Sequence, residues 1–273
     1  MKVVLFCGGM GMRLRGYADD VPKPMVTIGT RPILWHLMKY YAHFGHKDFI
    51  LCLGYKGNVI KDYFLNYDES VSNDFVWSGG GKNIQFLNRD IDDWKITFVE
   101  TGAHSNIGER LKAVEPHLDG EEMFLANYGD QLSDAPLPTV IETHRQSNAI
   151  ASLLLVQPTA SFDLVRAGED GMVHQVLPLK QSDTWINGGF FVMRKEIFNF
   201  IEPGEELVRE PFQRLIRQKA LLAYKYTGFW QCMDTFKEKQ RLDELNDGVA
   251  PWKVWKQCNG SEPARFEVES VRV

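Results

Sequence analysis

Met1-Lys2-Val3-Val4-Leu5-Phe6-Cys7-Gly8-Gly9-Met10-Gly11-Met12-Arg13-Leu14 opens the chain, and its reading decides the fold. The unbroken apolar run 3–7, ending on glycine, is the pattern of a parallel strand buried on both faces. The alternation that follows has the same sense. A helix over 33–42 begins after Pro32 and stops at Gly45, a strand spans 48–53 and a short helix 59–64. Residues 67–94 interrupt the rhythm with Gly79-Gly80-Gly81 between two extended stretches, 75–77 and 84–87, as a hairpin excursion would. Strands at 96–100, 123–127 and 149–156 then alternate with helices at 107–114 and 137–146. Glu169-Asp170-Gly171 sits between the short runs 164–167 and 173–177, a second hairpin. A buried strand at 189–193 and helices at 195–200, 209–218 and 236–246 complete the pattern. The sequence predicts an α/β fold: a mainly parallel sheet with right-handed crossovers, a small antiparallel annex and C-terminal helices. One domain is expected over 1–255, with the excursion inside it and a tail over 256–273.

Composition narrows the function. The chain has 273 residues, 44% hydrophobic and 25% charged, which excludes disorder and coiled coil. A net charge of −5 argues against a nucleic-acid binder held by bulk electrostatics but leaves room for a local phosphate pocket. Cys7, Cys52, Cys232 and Cys258 lie far apart with no Cys-x-x-Cys, so neither a disulfide framework nor a cysteine zinc site is expected. The longest apolar runs are strand-sized and no secretory leader is visible. A cytoplasmic protein without a membrane partner is the expectation.

Chemistry concentrates first in the glycine loop. Gly8, Gly9 and Gly11 let backbone N–H groups approach a polyphosphate without Cβ interference. Arg13 adds planar multidentate donors, and Lys23, within Pro22-Lys23-Pro24-Met25, a point charge. The glycines do not space as Gly-x-Gly-x-x-Gly, and no Gly-Lys-Ser/Thr is present, so neither the dinucleotide fingerprint nor the P-loop applies. The plainer alternative is a glycine-rich turn with two exposed cations. Asp130 and Asp234 each follow an apolar run, where an aspartate more often caps the next helix. Asn187 reads equally as a turn residue before Gly188-Gly189, Arg110 as a solvated helix cation, and Tyr128 as core. His43 and His46 read as surface or capping residues.

These motifs together resemble the sugar-1-phosphate nucleotidyltransferases, and within them the members that use CTP. The resemblance rests on the loop and Lys23-Pro24-Met25, and continues through Pro32-Ile33-Leu34-Trp35-His36, Gly54-Tyr55-Lys56-Gly57, Tyr128-Gly129-Asp130, Ile186-Asn187-Gly188-Gly189, Met233-Asp234-Thr235 and Ala250-Pro251-Trp252-Lys253. It implies a Rossmann-like sheet and transfer of CMP from CTP to a sugar 1-phosphate, with release of pyrophosphate. It also implies nucleotide binding by Gly8, Gly9, Gly11, Met12, Arg13, Lys23, Thr101, Gly102 and Tyr128, and charge stabilisation by Arg13 and Lys23. Asp130 and Asp234 would be the ligands of Mg2+, and homo-oligomers, often built on the excursion, would be the assembly.

Acceptor residues implied by the same resemblance are Arg110, Asn187, Gly188 and Lys180. Here the chain departs from the pattern. The Glu-Lys-Pro whose charges meet the sugar phosphate reads Leu177-Pro178-Leu179, with Lys180 the next cation. Met12 replaces a threonine, Glu109 a glycine and Gln131 a glycine, and Gly-Arg-Phe-Gly reads Ala160-Ser161-Phe162-Asp163. Leucine and proline offer neither charge nor side-chain hydrogen bonds. The sequence therefore predicts that glucose 1-phosphate is at best a poor acceptor, with Lys180 the cation that would swing in to replace the lost charge. A non-hexose phosphate or phosphonate acceptor, or a silent nucleotide-binding paralogue, are the alternatives.

Overall fold

A computed structural model describes residues 1–9, 21–159 and 162–256. Gly11, Met12, Arg13, Ala160, Ser161 and the tail beyond Lys256 lie outside the described residues. The central sheet has eight strands: β1 (Val3–Phe6), β2 (Asp48–Leu53), β3 (Lys95–Glu100), β4 (Met123–Tyr128), β5 (Ala151–Val156), β6 (Ile186–Asn187), β7 (Phe191–Arg194) and β8 (Leu221–Tyr226). β3, β2, β1 and β4 are adjacent and parallel. β7 then runs antiparallel between β4 and β5, and β8 runs parallel to β5. β6 and β7 pair with β5 as two pieces of one interrupted strand, broken at residues 188–190.

Both faces of this sheet are covered, which is why β1 and β2 are apolar at nearly every position. Val3 and Leu5 belong to one core, with α1 (Ile33–His43) and α4 (Leu137–Gln146). Val4 and Phe6 belong to the other, with α3 (Ile107–Val114) and α5 (Glu210–Arg217). The period-two alternation of a strand thus divides its side chains between two cores. The remaining helices are α2 (Gly57–Leu65) and α6 (Phe236–Asp247). Residues 195–200, expected as an α-helix, form 3-10 turns.

The antiparallel annex is Asp163–Ala167 paired with Val173–Pro178. The excursion is a hairpin, Phe75–Ser78 against Asn83–Phe86, as its glycines predict. Arg31, 3% exposed, ties the start of the excursion to the body. Its guanidinium lies 4.3 Å from the Tyr67 ring centroid and donates to Ser72 Oγ and to the Asp68 carbonyl at 2.7 Å.

The imidazole of His36, at the heart of the first core, donates from Nε2 to the Ile28 carbonyl at 3.1 Å, while Nδ1 accepts from Trp252 Nε1 at 3.3 Å. Burial pushes its pKa from 6.5 down to about 3. A proton on Nδ1 would also face the indole N–H. The folded chain therefore holds His36 neutral while the unfolded chain protonates it below pH 6.5, and stability falls as the pH drops from there towards 3. Urea unfolding at pH 7 and pH 4 should show a loss of about 3 kcal/mol from this group. In His36→Gln the pH-dependent part should shrink by that amount, whatever its stability at pH 7.

Candidate active site

Parallel α/β sheets bind ligands beyond the carboxyl ends of their strands, where neighbouring connections diverge to opposite sides. That point here lies between β1 and β4, which pair Phe6 with Tyr128. Gly8 and Gly9 leave the first strand and Gly129-Asp130 the second. A Cβ on Gly129 would stand 3.1 Å from the Phe6 carbonyl and 3.2 Å from Cys7 Sγ, so glycine lets the two turns pack closely.

Lys23 begins a 3-10 turn, Lys23–Met25, with proline on each side. Its ammonium lies 2.5 Å from Asp130 Oδ2 and also forms an ion pair with Asp234. Burial opposes the charge on Lys23, but Asp130 and then Asp234 outweigh it and hold its pKa above the usual lysine value. The two aspartates meet because Gln131–Ser133 pairs antiparallel with Trp230–Cys232, and the Met233 amide donates to the Asp130 carbonyl at 2.9 Å. Neither aspartate is a helix cap. The cap of α6 is Thr235, in a reciprocal capping box with Glu238, and the Asp234 carboxylate forms its ion pair with Lys23. Two carboxylates gathered on one cation form an oxygen-only donor set that suits a hard divalent ion, with phosphates and water completing its shell. Among the described residues no group of three or more His, Cys, Asp or Glu gathers for a metal.

These residues line a cleft of about 480 Å³ together with Gly8, Gly9, Ser105, Asn106, Ile107, Arg110, Tyr128 and Glu206. Arg110 is 2% exposed and is not a solvated cation. Its guanidinium donates to the Gly8 carbonyl at 3.0 Å, to Thr101 Oγ1 at 2.7 Å and to the Leu53 carbonyl at 3.2 Å. A Cβ on Gly8 would fall 1.9 Å from Arg110 Nη1, so the loop needs glycine there. Arg110 thus braces Gly8, Leu53 and Thr101 while lining the cleft itself. No carboxylate pairs with it among the described residues, so its charge contributes positive potential beneath the glycine loop. Thr101 has its hydroxyl engaged with Leu53 and Arg110, and neither it nor Gly102, at φ +95°, is among the residues lining the cleft.

At the break between β6 and β7, Asn187 Oδ1 accepts from the Gly189 amide at 2.9 Å, while Nδ2 donates to the Tyr128 hydroxyl at 3.4 Å. Asn187 is therefore a turn residue and a cleft neighbour at once. Gly188 gives its carbonyl to Trp230 Nε1 at 2.9 Å. Gly189 and Phe190 follow with φ of +70° and +47°, and Asn127 Oδ1 accepts from the Phe190 and Tyr128 amides. Asn127 Nδ2 and Gln131 Oε1 are buried beside this break with no hydrogen-bond partner among the described residues. Lys180, on the turn Leu179–Gln181, is exposed and does not line the cleft. Sequence reasoning missed Glu206, Ser105, Asn106 and Asn127, none of which lies in a motif or carries a periodic signal. His43 is exposed and His46 half-buried, both outside the cleft, as expected.

Comparison with known proteins agrees with this geometry. The nucleotidyl transferase family model matches residues 2–237. The glucose-1-phosphate cytidylyltransferase of Salmonella typhimurium is 39% identical over 259 residues, covering 93% of this chain and 100% of the relative. That of Salmonella typhi is 38% identical over 258 residues, with the same coverage. The crystal structure of UDP-glucose pyrophosphorylase complexed with UDP-glucose superposes with a TM-score of 0.65 at 14% identity, covering 90% of this chain and 98% of that one. The last is a likeness of fold.

Proposed function

The chain belongs to the nucleotidyl transferase family, and we infer that it transfers CMP from CTP to a sugar 1-phosphate, forming a CDP-sugar and pyrophosphate. The observation that carries this reading is the convergence of Lys23, Asp130 and Asp234 at the switch point beside Gly8 and Gly9. An oxygen of the acceptor phosphate attacks the α-phosphorus of CTP. The bond from that phosphorus to the bridging oxygen breaks, and pyrophosphate leaves with the electron pair. A phosphate oxygen is already an anionic nucleophile, so no general base is required. Gly8 and Gly9 admit the triphosphate, Arg13 and Lys23 offset its charge, and Arg110 holds the loop from beneath.

We propose that Asp130 and Asp234 hold Mg2+, which when bound neutralises phosphate charge. The scattered cysteines support a reducing, cytoplasmic setting. No helix among the described residues is long and apolar enough to cross a membrane.

We further propose a homo-oligomer formed through the excursion. Val76, Trp77, Ile84 and Leu87 are 47%, 62%, 50% and 59% exposed there, large apolar side chains that a second copy would cover. Trp77→Asp should lower the mass measured by analytical ultracentrifugation, and a variant that sediments like the parent would contradict the assignment.

The cytidylyltransferase relatives favour glucose 1-phosphate as acceptor, and the rewritten Leu177-Pro178-Leu179 opposes it. Pyrophosphate release assayed over four nucleoside triphosphates and a panel of sugar 1-phosphates tests the reading. CTP with at least one sugar 1-phosphate should stand above all other pairs, and a preference for another nucleotide would refute the base assignment.

A further inference from the structure

We propose that Glu206 is a specificity-determining residue for the acceptor, its carboxylate accepting hydrogen bonds from hydroxyls of the sugar. This rests on the transferase reading above. Glu206 lines the same cleft as Lys23, Asp130 and Asp234. Three carboxylates therefore border a space that must admit two phosphate-bearing substrates. Lys23 answers two of them. The Glu206 carboxylate forms no ion pair among the described residues, and the one hydrogen bond it accepts from them is from the Ile107 amide to Oε2 at 3.3 Å.

Helix α3 does not need Glu206 as a cap. Asn106 Oδ1 already accepts from the Glu109 amide at 2.9 Å, and Glu109 Oε2 accepts from the Asn106 amide at 2.8 Å. An anionic side chain beside polyanionic substrates weakens their binding unless it meets an uncharged part rich in donors. A sugar ring is such a part. The position of Glu206 favours the sugar over the base. The Tyr128 hydroxyl, on the same cleft as Glu206, receives the amide of Asn187, a residue that the resemblance gives to the acceptor. Glu206 also supplies what the chain lacks elsewhere. Leu177 stands where the resembling enzymes carry a carboxylate for sugar hydroxyls, and the loop before α5 brings one in from another element.

Steady-state kinetics of Glu206→Ala and Glu206→Gln would test this, with CTP, UTP, glucose 1-phosphate, its C2 and C4 epimers and its monodeoxy analogues. Glu206→Ala should raise the acceptor KM at least about tenfold and leave the CTP KM within about twofold, with Glu206→Gln between the two. One deoxy analogue should be a poor substrate of the parent enzyme yet match its hydroxylated counterpart in Glu206→Ala. A changed CTP-to-UTP ratio with an unaltered acceptor KM would overturn the proposal in favour of base recognition. A uniform fall in kcat with a lowered Tm and no selectivity change would overturn it in favour of a strut. No turnover of any acceptor by the parent enzyme would remove the transferase reading, and this proposal with it.

Discussion

Asp130→Asn and Asp234→Asn should each lower kcat by roughly 10²–10³ while the fold survives. The substitution keeps the shape of the side chain and removes the charge that Lys23 and a divalent cation both require. Asparagine in place of either aspartate leaves Lys23 one carboxylate, so the ammonium is still answered. The pairing of Gln131–Ser133 with Trp230–Cys232 uses backbone groups and should be untouched. Thermal unfolding should therefore shift by only a few degrees. EDTA should abolish turnover in the parent enzyme, with Mg2+ or Mn2+ restoring it. Either variant retaining full activity would refute the two-aspartate assignment.

Lys23→Ala should be of comparable size for a different reason. Its ammonium sits at the junction of Asp130, Asp234 and the phosphate loop, and alanine leaves two carboxylates facing each other across the cleft that CTP enters. A fall of roughly 10²–10³ in kcat/KM for CTP is expected, as for the loss of one preorganised donor. In the metal-free chain the two aspartates hold the Lys23 pKa above its usual value, so the ammonium is charged at neutral pH. A loss below twofold in Lys23→Ala would mean that Arg13 alone serves the phosphates.

Much of this architecture is legible in the sequence because strands buried on both faces leave short apolar runs and the helices between them keep a helical period. Residues 48–53, 107–114 and 137–146 fold over the expected ranges. The edge strand β8, Leu221–Tyr226, is absent from the sequence reading because its apolar run follows directly on the helix expected over 209–218, and Ala223 and Lys225 are exposed. The pairing of Gln131–Ser133 with Trp230–Cys232 spans three residues a side, too few for a period to show, although it is what unites the two aspartates. Residue identity could suggest Asp130 and Asp234 but could not separate a ligand from a helix cap. That distinction depended on Thr235 and Glu238 taking the cap. Arg110 misled in another way, since a cation on an amphipathic helix reads as solvated, and only the third dimension places Gly8, Leu53 and Thr101 around it. Glu206 had no motif to announce it, because a carboxylate in a loop acquires meaning from the cleft it borders.

The most direct test of the account is the product itself. The chain would be incubated with CTP labelled at the α-phosphorus, glucose 1-phosphate or an epimer, and Mg2+, and the products separated. The account predicts label in a CDP-sugar, equimolar with pyrophosphate and dependent on both substrates, Asp130 and Asp234. Label recovered as unchanged CTP, or as CMP formed without an acceptor, would contradict it.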